Sequence, residues 1–444
     1  MEHPLQGVEH PLQGVEHPLQ GVEHPLQGVE YPLQGKRAWV GKMATTESIR
    51  RVERVTQNKA WPRLDYILAI TVGALLVIGL MMVYSSTFDL AYQAKGQAAY
   101  YLLRQVMWVA LGLVVLLALA RLDYSYLHRI SIPLMGVMLV LLVLVLIWGT
   151  ELNGAKRTLA NGSIQPSELM KLAVVIYIAD WLASKGEKIR DVSYGLIPFG
   201  VLIGVIAGLI VLEPNFSTAS LIALTAAIMF FLAGAELTQM LGGGAVAAAT
   251  FGLLVMNSAH AKERIVSFVK MLSDPSQASW QLQQSLVALG SGGVLGRGLG
   301  ASRQKLLHLP LPATDSIFAI IGEEMGLVGC LIVVGLFAIL AYRGFKIAAQ
   351  APDPYGALLA AGATTWLVLE AIFNIAAMTG LVPFTGIPLP FISYGGSALV
   401  SAMGAVGVLL GVSRGTRRKA RQGSANLDFG RRDRRPRLSR PGGR

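Results

Sequence analysis

Cysteine and charged residues are scarce in this sequence. Cys330 is the single cysteine of the 444-residue chain, so neither a disulfide within the chain nor a thiolate metal site can form. Charged residues make up only 14% of the chain, whereas soluble domains typically carry about 25%. The chain also lacks HExxH, paired-cysteine and GxSxG patterns, so neither metalloprotease nor serine-hydrolase chemistry has any support in the sequence.

The sequence is instead rich in long apolar runs. Apolar residues form 53% of the chain, and they recur in runs of about 17–25 residues, the length that a helix needs to cross a bilayer. The runs are continuous rather than alternating, which excludes barrel strands. The sequence therefore predicts an all-α polytopic membrane protein with ten spans, at about 66–84, 101–120, 130–149, 168–184, 196–213, 216–235, 240–258, 317–342, 356–378 and 395–412.

The first 42 residues read as an added segment rather than as part of the fold. Residues 2–36 are five copies of a seven-residue unit, EHPLQGV four times and then EYPLQGK. Proline and glycine in every unit exclude a coiled coil. Such an array of identical short units is typical of an engineered repeat tag. Residues 43–65 then form an N-terminal flank before the first span.

Positive charge indicates the orientation. It is concentrated before the first span and in alternate connections, whereas the short connections on the other side hold only Lys95, Lys156 and Arg157. The positive-inside rule then places both termini in the cytoplasm. The tail, residues 413–444, supplies +10 of the net charge of +12, and such a run after a last span is typical of a lipid-facing anchor rather than of a nucleic-acid site. The long connection between spans seven and eight, 259–316, faces outward and is expected to form short interfacial helices.

Asp315 is the first candidate for chemistry, in LPLPATDSIFAIIGEE at the start of the eighth span. An acid at this place could simply belong to the N-terminal cap region of the helix. It could also be a general base, because cation-bearing and irregular segments are expected on the same side. Glu323 and Glu324 follow on the span, where they would line a polar cavity or serve a structural role.

Two further segments could serve an anionic ligand. In IQPSELMKL, Glu168 and Lys171 share one helix face, which suits either an internal ion pair or a site for an anion. The segment GSGGVLGRGLG, residues 290–300, contains Arg297 and is followed by Lys305. It could be a flexible turn or a loop whose N–H groups bind phosphate.

The uncharged stretch NIAAMTGLVPFTGIPLPFISYGGSA, residues 374–398, separates the last two spans. Irregular backbone at membrane depth is tolerated where it lines a cavity or is buried in protein. Glu370 and Asn374 lie one helical turn apart on the preceding span, and an acid within a span is a functional candidate.

These segments together resemble the SEDS family (FtsW/RodA/SpoVE) of peptidoglycan polymerases, over about residues 64–414. The matching pieces are IQPSELMKL, ALGSGGVLGRG, TDSIFAIIGEEMGL and the stretch from Asn374 through SYGGSA. The resemblance implies ten membrane helices with a large extracytoplasmic loop between the seventh and eighth. It leans towards the division member of the family and leaves the elongation member open.

Site residues follow from the resemblance. It implies that Asp315 is catalytic, and that a further set binds substrate or pyrophosphate or lines the cavity. The binding set is Lys171, Arg264, Arg297, Lys305, Glu168, Gln165, Trp280, Gln284 and Ser285, and the cavity set is Glu323, Glu324, Glu370, Asn374, Ser393 and Tyr394. Two places depart from the family pattern: Asn215 replaces an acid in the turn between spans five and six, and Leu311 and Ala313 replace an acid and a histidine ahead of Asp315.

The resemblance implies glycosyl transfer at the outer face of the bacterial cytoplasmic membrane, with lipid II as substrate and undecaprenyl pyrophosphate as leaving group. It implies a class B penicillin-binding protein and other divisome or elongasome membrane proteins as partners, with Mg²⁺ or Mn²⁺ as a candidate cofactor. Two other functions remain open from the residues: a lipid II flippase, which interrupted helices and intramembrane acids would fit, and a non-enzymatic scaffold that recruits the transpeptidase.

Overall fold

A computed structural model describes residues 65–152, 155–159, 164–304 and 313–432, the last stretch as backbone only beyond residue 415. The predicted tag at 1–42, most of the 43–65 flank, Lys305 and the end of the basic tail lie outside the described residues.

The described residues form twelve α-helices and one two-stranded hairpin. A short 3₁₀ turn and a π turn join α4 to α5. In chain order the elements are α1 (Tyr66–Lys95), α2 (Tyr100–Arg121), α3 (Ser125–Trp148), β1 (Thr150–Leu152), β2 (Ala155–Thr158), α4 (Pro166–Lys185), α5 (Ile197–Leu212), α6 (Phe216–Leu232), α7 (Leu237–Met256), α8 (Ala259–Ser273), α9 (Trp280–Gly292), α10 (Ile317–Ala349), α11 (Pro354–Met378) and α12 (Gly396–Arg432).

Eight of the described helices are long and apolar enough to cross a membrane, so the predicted helical multi-span architecture is confirmed. They are α1, α2, α3, α5 with its preceding π turn, α7, α10, α11 and the first part of α12. Two predicted spans are not among the eight. Helix α6 is apolar but shorter, and α4 carries Glu168, Lys171 and Asp180 within its length.

Helix ends follow local sequence signals. The side chains of Asp65 and Asp353 accept hydrogen bonds from the backbone N–H groups of Leu68 and Gly356, and so cap α1 and α11. Gly96 ends α1 in the left-handed conformation, at φ 66°. Helix α10 begins at Ile317, as the sequence predicts.

Helices α11 and α12 form the centre of the bundle. In their most apolar segments 72% and 78% of the residues are buried, against 17% in α2 and 11% in α7. Helix α11 packs against α4, α6, α10 and α12. Because α2 and α7 keep their apolar side chains on the outside, these helices suit a lipid environment, while α11 holds polar side chains away from it.

Side-chain contacts define one end of the bundle, here called the Asp65 end. Arg343 pairs with Asp65 (Nη2–Oδ2 2.5 Å), which places the end of α10 beside the start of α1. Tyr124, between α2 and α3, donates a hydrogen bond to Asp353 at the start of α11. Asp315, at the start of α10, therefore lies towards the other end, called the Asp315 end.

The hairpin is a departure from the all-α prediction. Strands β1 and β2 pair antiparallel between α3 and α4, outside the apolar runs that the prediction relied on. Arg157 on β2 donates from Nε to the carbonyl of Glu213 (3.0 Å) and from Nη2 to that of Pro214 (2.6 Å). The hairpin thus supplies hydrogen bonds to carbonyls at the C-terminal end of α5, which the helix itself leaves unpaired.

The glycine-rich segment packs against a kink in α10. Gly326 has non-helical torsions (φ 67°, ψ −165°), and the carbonyls of Glu323 and Glu324 accept hydrogen bonds from the N–H groups of Arg297 and Gly298, each at 3.0 Å. A Cβ at Gly292 would lie 1.9 Å from the Gly322 carbonyl oxygen, so only glycine fits there. These two N–H groups serve the fold in this structure and are not presented to a phosphate.

Candidate functional site

Asp315 is not the N-cap residue of α10, and its backbone carbonyl is what a neighbouring helix binds. Ser316 occupies the N-cap position of α10, and its side chain makes no capping hydrogen bond. The Asp315 carbonyl accepts a hydrogen bond from Asn374 Nδ2 of α11 (2.8 Å). Gly386 lies against the carboxylate, because a Cβ there would be 3.3 Å from Asp315 Oδ2. The carboxylate therefore faces the segment that connects α11 to α12.

That connecting segment, residues 379–395, is hydrogen-bonded to the two residues ahead of Asp315. Ser393 Oγ donates to the Thr314 carbonyl (2.6 Å), and the Tyr394 N–H donates to the Ala313 carbonyl (2.8 Å). Of the residues predicted from sequence, the structure thus brings Asn374, Ser393 and Tyr394 to the loop that carries Asp315.

The electrostatic surroundings of Asp315 suit a base at neutral pH. Burial raises the pKa of this half-buried carboxyl to about 7, while Arg264, a hydrogen bond with Thr314 and Arg157 act to lower it. A carboxyl with a pKa near the working pH is efficient in proton transfer, because it is substantially ionised and still basic enough to accept a proton.

Two arginines from separate elements flank Asp315. Arg264 on α8 is exposed and lies over the Phe384 ring, with Cζ 5.8 Å from its centroid. Arg157 on β2 is half-buried, and its pKa is lowered first by burial and then by the charge of Arg264. The sequence motifs did not single out Arg157. The available signal was its place among the few cations of the short connections on that side.

Glu213, at the end of α5, is a second buried acid near these arginines. It has no exposed surface, and within the described residues neither carboxylate oxygen makes a hydrogen bond of normal geometry. Burial raises its pKa to about 8, while the nearby Ser167 hydroxyl and Arg157 oppose the rise. Asn215 instead caps α6, accepting from the Thr218 N–H (3.3 Å). The turn therefore retains an acid at 213, although it lacks one at 215.

Lys171 lies in a buried ion cluster. Its Nζ is 2.7 Å from Glu168 Oε2 and 2.5 Å from Glu370 Oε1, and the three side chains are at most 5% exposed. The internal ion pair, one of the two interpretations of IQPSELMKL, is the arrangement observed, with Glu370 of α11 as a third member. The ammonium is surrounded by these carboxylates and is not open to a diphosphate in this structure.

Glu323 and Glu324 are anchors within the protein rather than walls of an open cavity. Glu323 accepts from Ser302 Oγ (2.5 Å) and the Arg303 N–H (3.0 Å), and Arg297 Nη1 lies 3.9 Å from it. Glu324 accepts from Ser85 Oγ of α1 (2.7 Å). Both acids are almost fully buried, at 0% and 1% exposure.

The remaining predicted residues lie on α9 and at the start of α4. Trp280 is 52% exposed at the beginning of α9, Gln284 is half-buried, and Ser285 is buried against Met378 Sδ (3.5 Å) at the end of α11. Gln165 Nε2 donates to Ser167 Oγ (3.2 Å). Their predicted part in substrate binding stays a prediction.

The described part of the chain contains no cluster of three or more His, Cys, Asp or Glu side chains that could hold a metal ion. A structural metal site is usually held by three or four such side chains. Mg²⁺, in contrast, is often bound by one or two carboxylates together with substrate phosphates.

Fold and site together define a polytopic helical membrane protein with an acid, Asp315, near two arginines at one end of its bundle. The family model described as "Cell cycle protein", that of FtsW, RodA and SpoVE, matches residues 66–418. The chain belongs to this family, and the resemblance inferred from its motifs is confirmed.

Curated relatives align with about four fifths of the chain. The chain is 40% identical to the probable peptidoglycan glycosyltransferase FtsW of Trichlorobacter lovleyi over 355 residues, 79% of this chain and 93% of the relative. It is 38% identical to stage V sporulation protein E of Bacillus subtilis, over 82% of this chain and all of that protein.

Solved structures share the fold. A chain in a peptidoglycan synthase complex that coordinates polymerization and crosslinking matches with a TM-score of 0.65 and 27% identity, over 80% of this chain and 98% of its own length. The rod shape determining protein RodA of Thermus thermophilus matches with a TM-score of 0.60 and 27% identity, over the same shares.

Proposed function

We propose that this protein is a peptidoglycan glycosyltransferase that polymerises lipid II into glycan strands, in septal rather than lateral wall synthesis. The observation that carries the proposal is the place of Asp315 at one end of the bundle near Arg264 and Arg157, with a carboxyl whose pKa is raised by burial to about 7. The high identity to FtsW relatives supports the reaction and the preference for division.

The transfer is one inverting displacement. Asp315 accepts the proton of the acceptor GlcNAc 4-hydroxyl, whose oxygen forms the new bond to the anomeric carbon of the growing chain's MurNAc. The bond from that carbon to the phosphate oxygen breaks, and its electron pair leaves with undecaprenyl pyrophosphate. Arg264 and Arg157 stabilise the charge that develops on this leaving group. Lys171, predicted as a ligand of the diphosphate, instead supports the site through α4 and α11.

Ten spans complete the proposed topology, with α4 and α6 added to the eight long helices. Buried partners for Glu168 and Lys171 allow α4 to cross despite its charges. The pairing of Arg343 with Asp65 supports an even number of crossings between the start of α1 and the end of α10. The positive-inside rule then puts the Asp65 end and both termini in the cytoplasm, and Asp315 at the outer face.

A divalent cation would enter with the diphosphate. Because the described residues offer no carboxylate cluster, Asp315 is the protein group that would help to hold Mg²⁺ or Mn²⁺, together with the substrate phosphates. Such an ion would add to the neutralisation of the leaving group. A class B penicillin-binding protein is the proposed partner, in line with the polymerisation and crosslinking complex whose chain shares this fold.

The test is polymerisation by purified protein. Full-length chain in nanodiscs, with its transpeptidase and lipid II, should give a ladder of glycan products. Asp315→Asn should reduce the rate by on the order of a hundredfold or more, the usual contribution of a positioned base. Asp274→Asn is the matched control, because Asp274 is an exposed acid at the end of α8.

Three outcomes separate the alternatives. Full activity of Asp315→Asn would remove the base assignment. Wild-type protein that moves lipid II across vesicles without forming polymer would establish the flippase. Wild-type protein that does neither, yet raises crosslinking by its partner, would establish the scaffold.

A further inference from the structure

Three tyrosine rings form a continuous strip at the Asp315 end of the bundle. Tyr100 and Tyr101 at the start of α2 meet edge to face, with centroids 5.3 Å apart. Tyr101 meets Tyr394 in the same way at 5.6 Å. All three residues are half-buried, so each keeps part of its surface open. The strip, defined as Tyr100, Tyr101 and Tyr394, has not been used in the proposed mechanism.

The strip is fixed to the loop that carries Asp315. The Tyr394 N–H bonds the Ala313 carbonyl at 2.8 Å, two residues ahead of Asp315. Gln105 lies one turn after Tyr101 on the same face of α2, and its Nε2 donates to the Ser393 carbonyl (3.3 Å). A ligand lying on the strip would therefore be close to the reacting acid, in a defined relation to it.

Two cations lie near the strip. Lys95 Nζ lies 5.7 Å from the centroid of the Tyr100 ring, and Arg104 acts electrostatically on Tyr394. The strip therefore offers apolar ring faces, phenol hydroxyls and flanking cations. That combination suits a sugar polymer whose pyranose rings have apolar C–H faces and whose side groups end in carboxylates.

Tyrosines near helix ends also occur as membrane-interface belts, which is the competing explanation. A belt residue faces the headgroups and needs no tie to the interior. Tyr394 differs, because its backbone N–H is bonded to Ala313 of the loop that carries Asp315, although it lies only two residues ahead of α12.

We propose that the strip is a binding platform for N-acetylated sugar units of the glycan strand adjacent to the unit that reacts. This inference rests on the proposed glycosyltransferase function. The ring faces contact the apolar C–H faces of the sugars and are the main binding element. The platform would retain the strand between successive additions, so it governs product length more than the rate of a single transfer.

The experiment uses full-length protein in nanodiscs and two readouts. One is the affinity for a β-1,4-linked GlcNAc tetramer, and the other is the length distribution of glycan made from lipid II. Tyr101→Leu removes the ring and should weaken tetramer binding on the order of fivefold and shorten the products. Tyr101→Phe keeps the ring and should stay within about twofold of wild type in both readouts.

Tyr126→Leu is the matched control. Tyr126 is a 55% exposed tyrosine that borders a cation, with Arg129 Cζ 5.5 Å from its ring centroid, but it lies at the start of α3 at the Asp65 end. It should leave tetramer affinity and product length unchanged. Thermal unfolding of each variant shows whether the fold is retained.

Unchanged affinity and product length in folded Tyr101→Leu protein would overturn the platform while leaving the proposed function intact. Equal losses in Tyr101→Leu and Tyr101→Phe would also overturn it, because the ring face would then not be the binding element. Should wild-type protein bind the tetramer through Tyr101 but make no polymer, the platform would stand and the proposed polymerase function would fail. Equal destabilisation of Tyr101→Leu and Tyr126→Leu, with unchanged binding, would identify both tyrosines as interface anchors only.

Discussion

Asn374 holds Asp315 in place through its backbone. The side-chain amide of Asn374 donates to the Asp315 carbonyl at 2.8 Å and to the Ile387 carbonyl at 2.7 Å. Asn374 itself is almost fully buried on α11, the central helix. One side chain therefore ties the loop of the reacting acid to the connecting segment that faces its carboxylate.

Removal of the Asn374 hydrogen bonds should lower the polymerisation rate by more than any loss of folding stability explains. Asn374→Leu deletes both donors and leaves two buried carbonyls unpaired. We expect a loss in polymerisation rate on the order of tenfold to a hundredfold, because small displacements of a reacting group are costly. The rate of polymer formation from lipid II, measured alongside thermal unfolding, checks this.

Asn257→Leu serves as its control. The Asn257 amide also donates to a carbonyl, that of Leu253 (3.1 Å), but on the exposed end of α7. It should polymerise at the wild-type rate. Wild-type activity in Asn374→Leu would show that the Asp315 loop keeps its position without this amide.

A pH profile should reveal the Asp315 carboxyl directly. A base works only when ionised, so with a pKa of about 7 the rate should fall as the pH drops through neutrality. Arg264→Gln removes a cation that favours the carboxylate, which raises the pKa of Asp315 and moves the acid limb to higher pH. The rate of polymerisation across a series of buffers measures both midpoints.

Lys188→Gln, which removes an exposed cation between α4 and α5, should leave the midpoint unchanged. If Arg264→Gln and wild type share one midpoint, then Arg264 does not act on the group that controls the rate.

Sequence predicted the parts of this protein that depend on local pattern, and missed those that depend on distant pairing. Apolar runs in the sequence predicted the long helices. Asp315 was singled out because it is an acid directly ahead of one of these runs. Nothing local indicates that Lys171 meets Glu370, 199 residues away. Arg157 escaped attention because a hairpin between helices, rather than any motif, brings it near Asp315. The glycine segment was ambiguous because its role depends on a kink at Gly326 that periodicity does not reveal.

The buried ion cluster should be essential for stability. Lys171→Met leaves the Glu168 and Glu370 carboxylates buried without their cation, which we expect to cost about 3–5 kcal/mol in the free energy of unfolding. Glu370→Gln should cost less, because Lys171 keeps Glu168 as its partner. The double variant Lys171→Met/Glu370→Gln should recover part of the stability that Lys171→Met loses, since it removes one of the two uncompensated acids. Thermal unfolding in detergent measures all three.

Lys188→Met is the control for that series, because its ammonium is on the surface. Equal unfolding temperatures for Lys171→Met and Lys188→Met would mean that the cluster contributes nothing to stability, and that Lys171 is retained for another purpose.

Glu323 should control the order of the chain that leads from the glycine segment towards Asp315. Its carboxylate accepts from the N–H groups of Arg303 (3.0 Å) and Gln304 (3.3 Å). Glu323→Gln replaces one acceptor oxygen with a donor and removes the charge that strengthens these bonds. The amide hydrogens of residues 303 and 304 should then exchange on the order of tenfold faster, as expected for loss of a charge-assisted hydrogen bond.

Glu324→Gln provides the sharpest comparison, because the two acids are neighbours on one helix and equally buried. Glu324 accepts from Ser85 of α1, so its amide variant should change exchange near Ser85 and leave residues 303 and 304 as in wild type. Hydrogen exchange by mass spectrometry resolves the two regions. Faster exchange at 303 and 304 in both variants would mean that α10 as a whole has loosened, and that Glu323 has no specific hold on this segment.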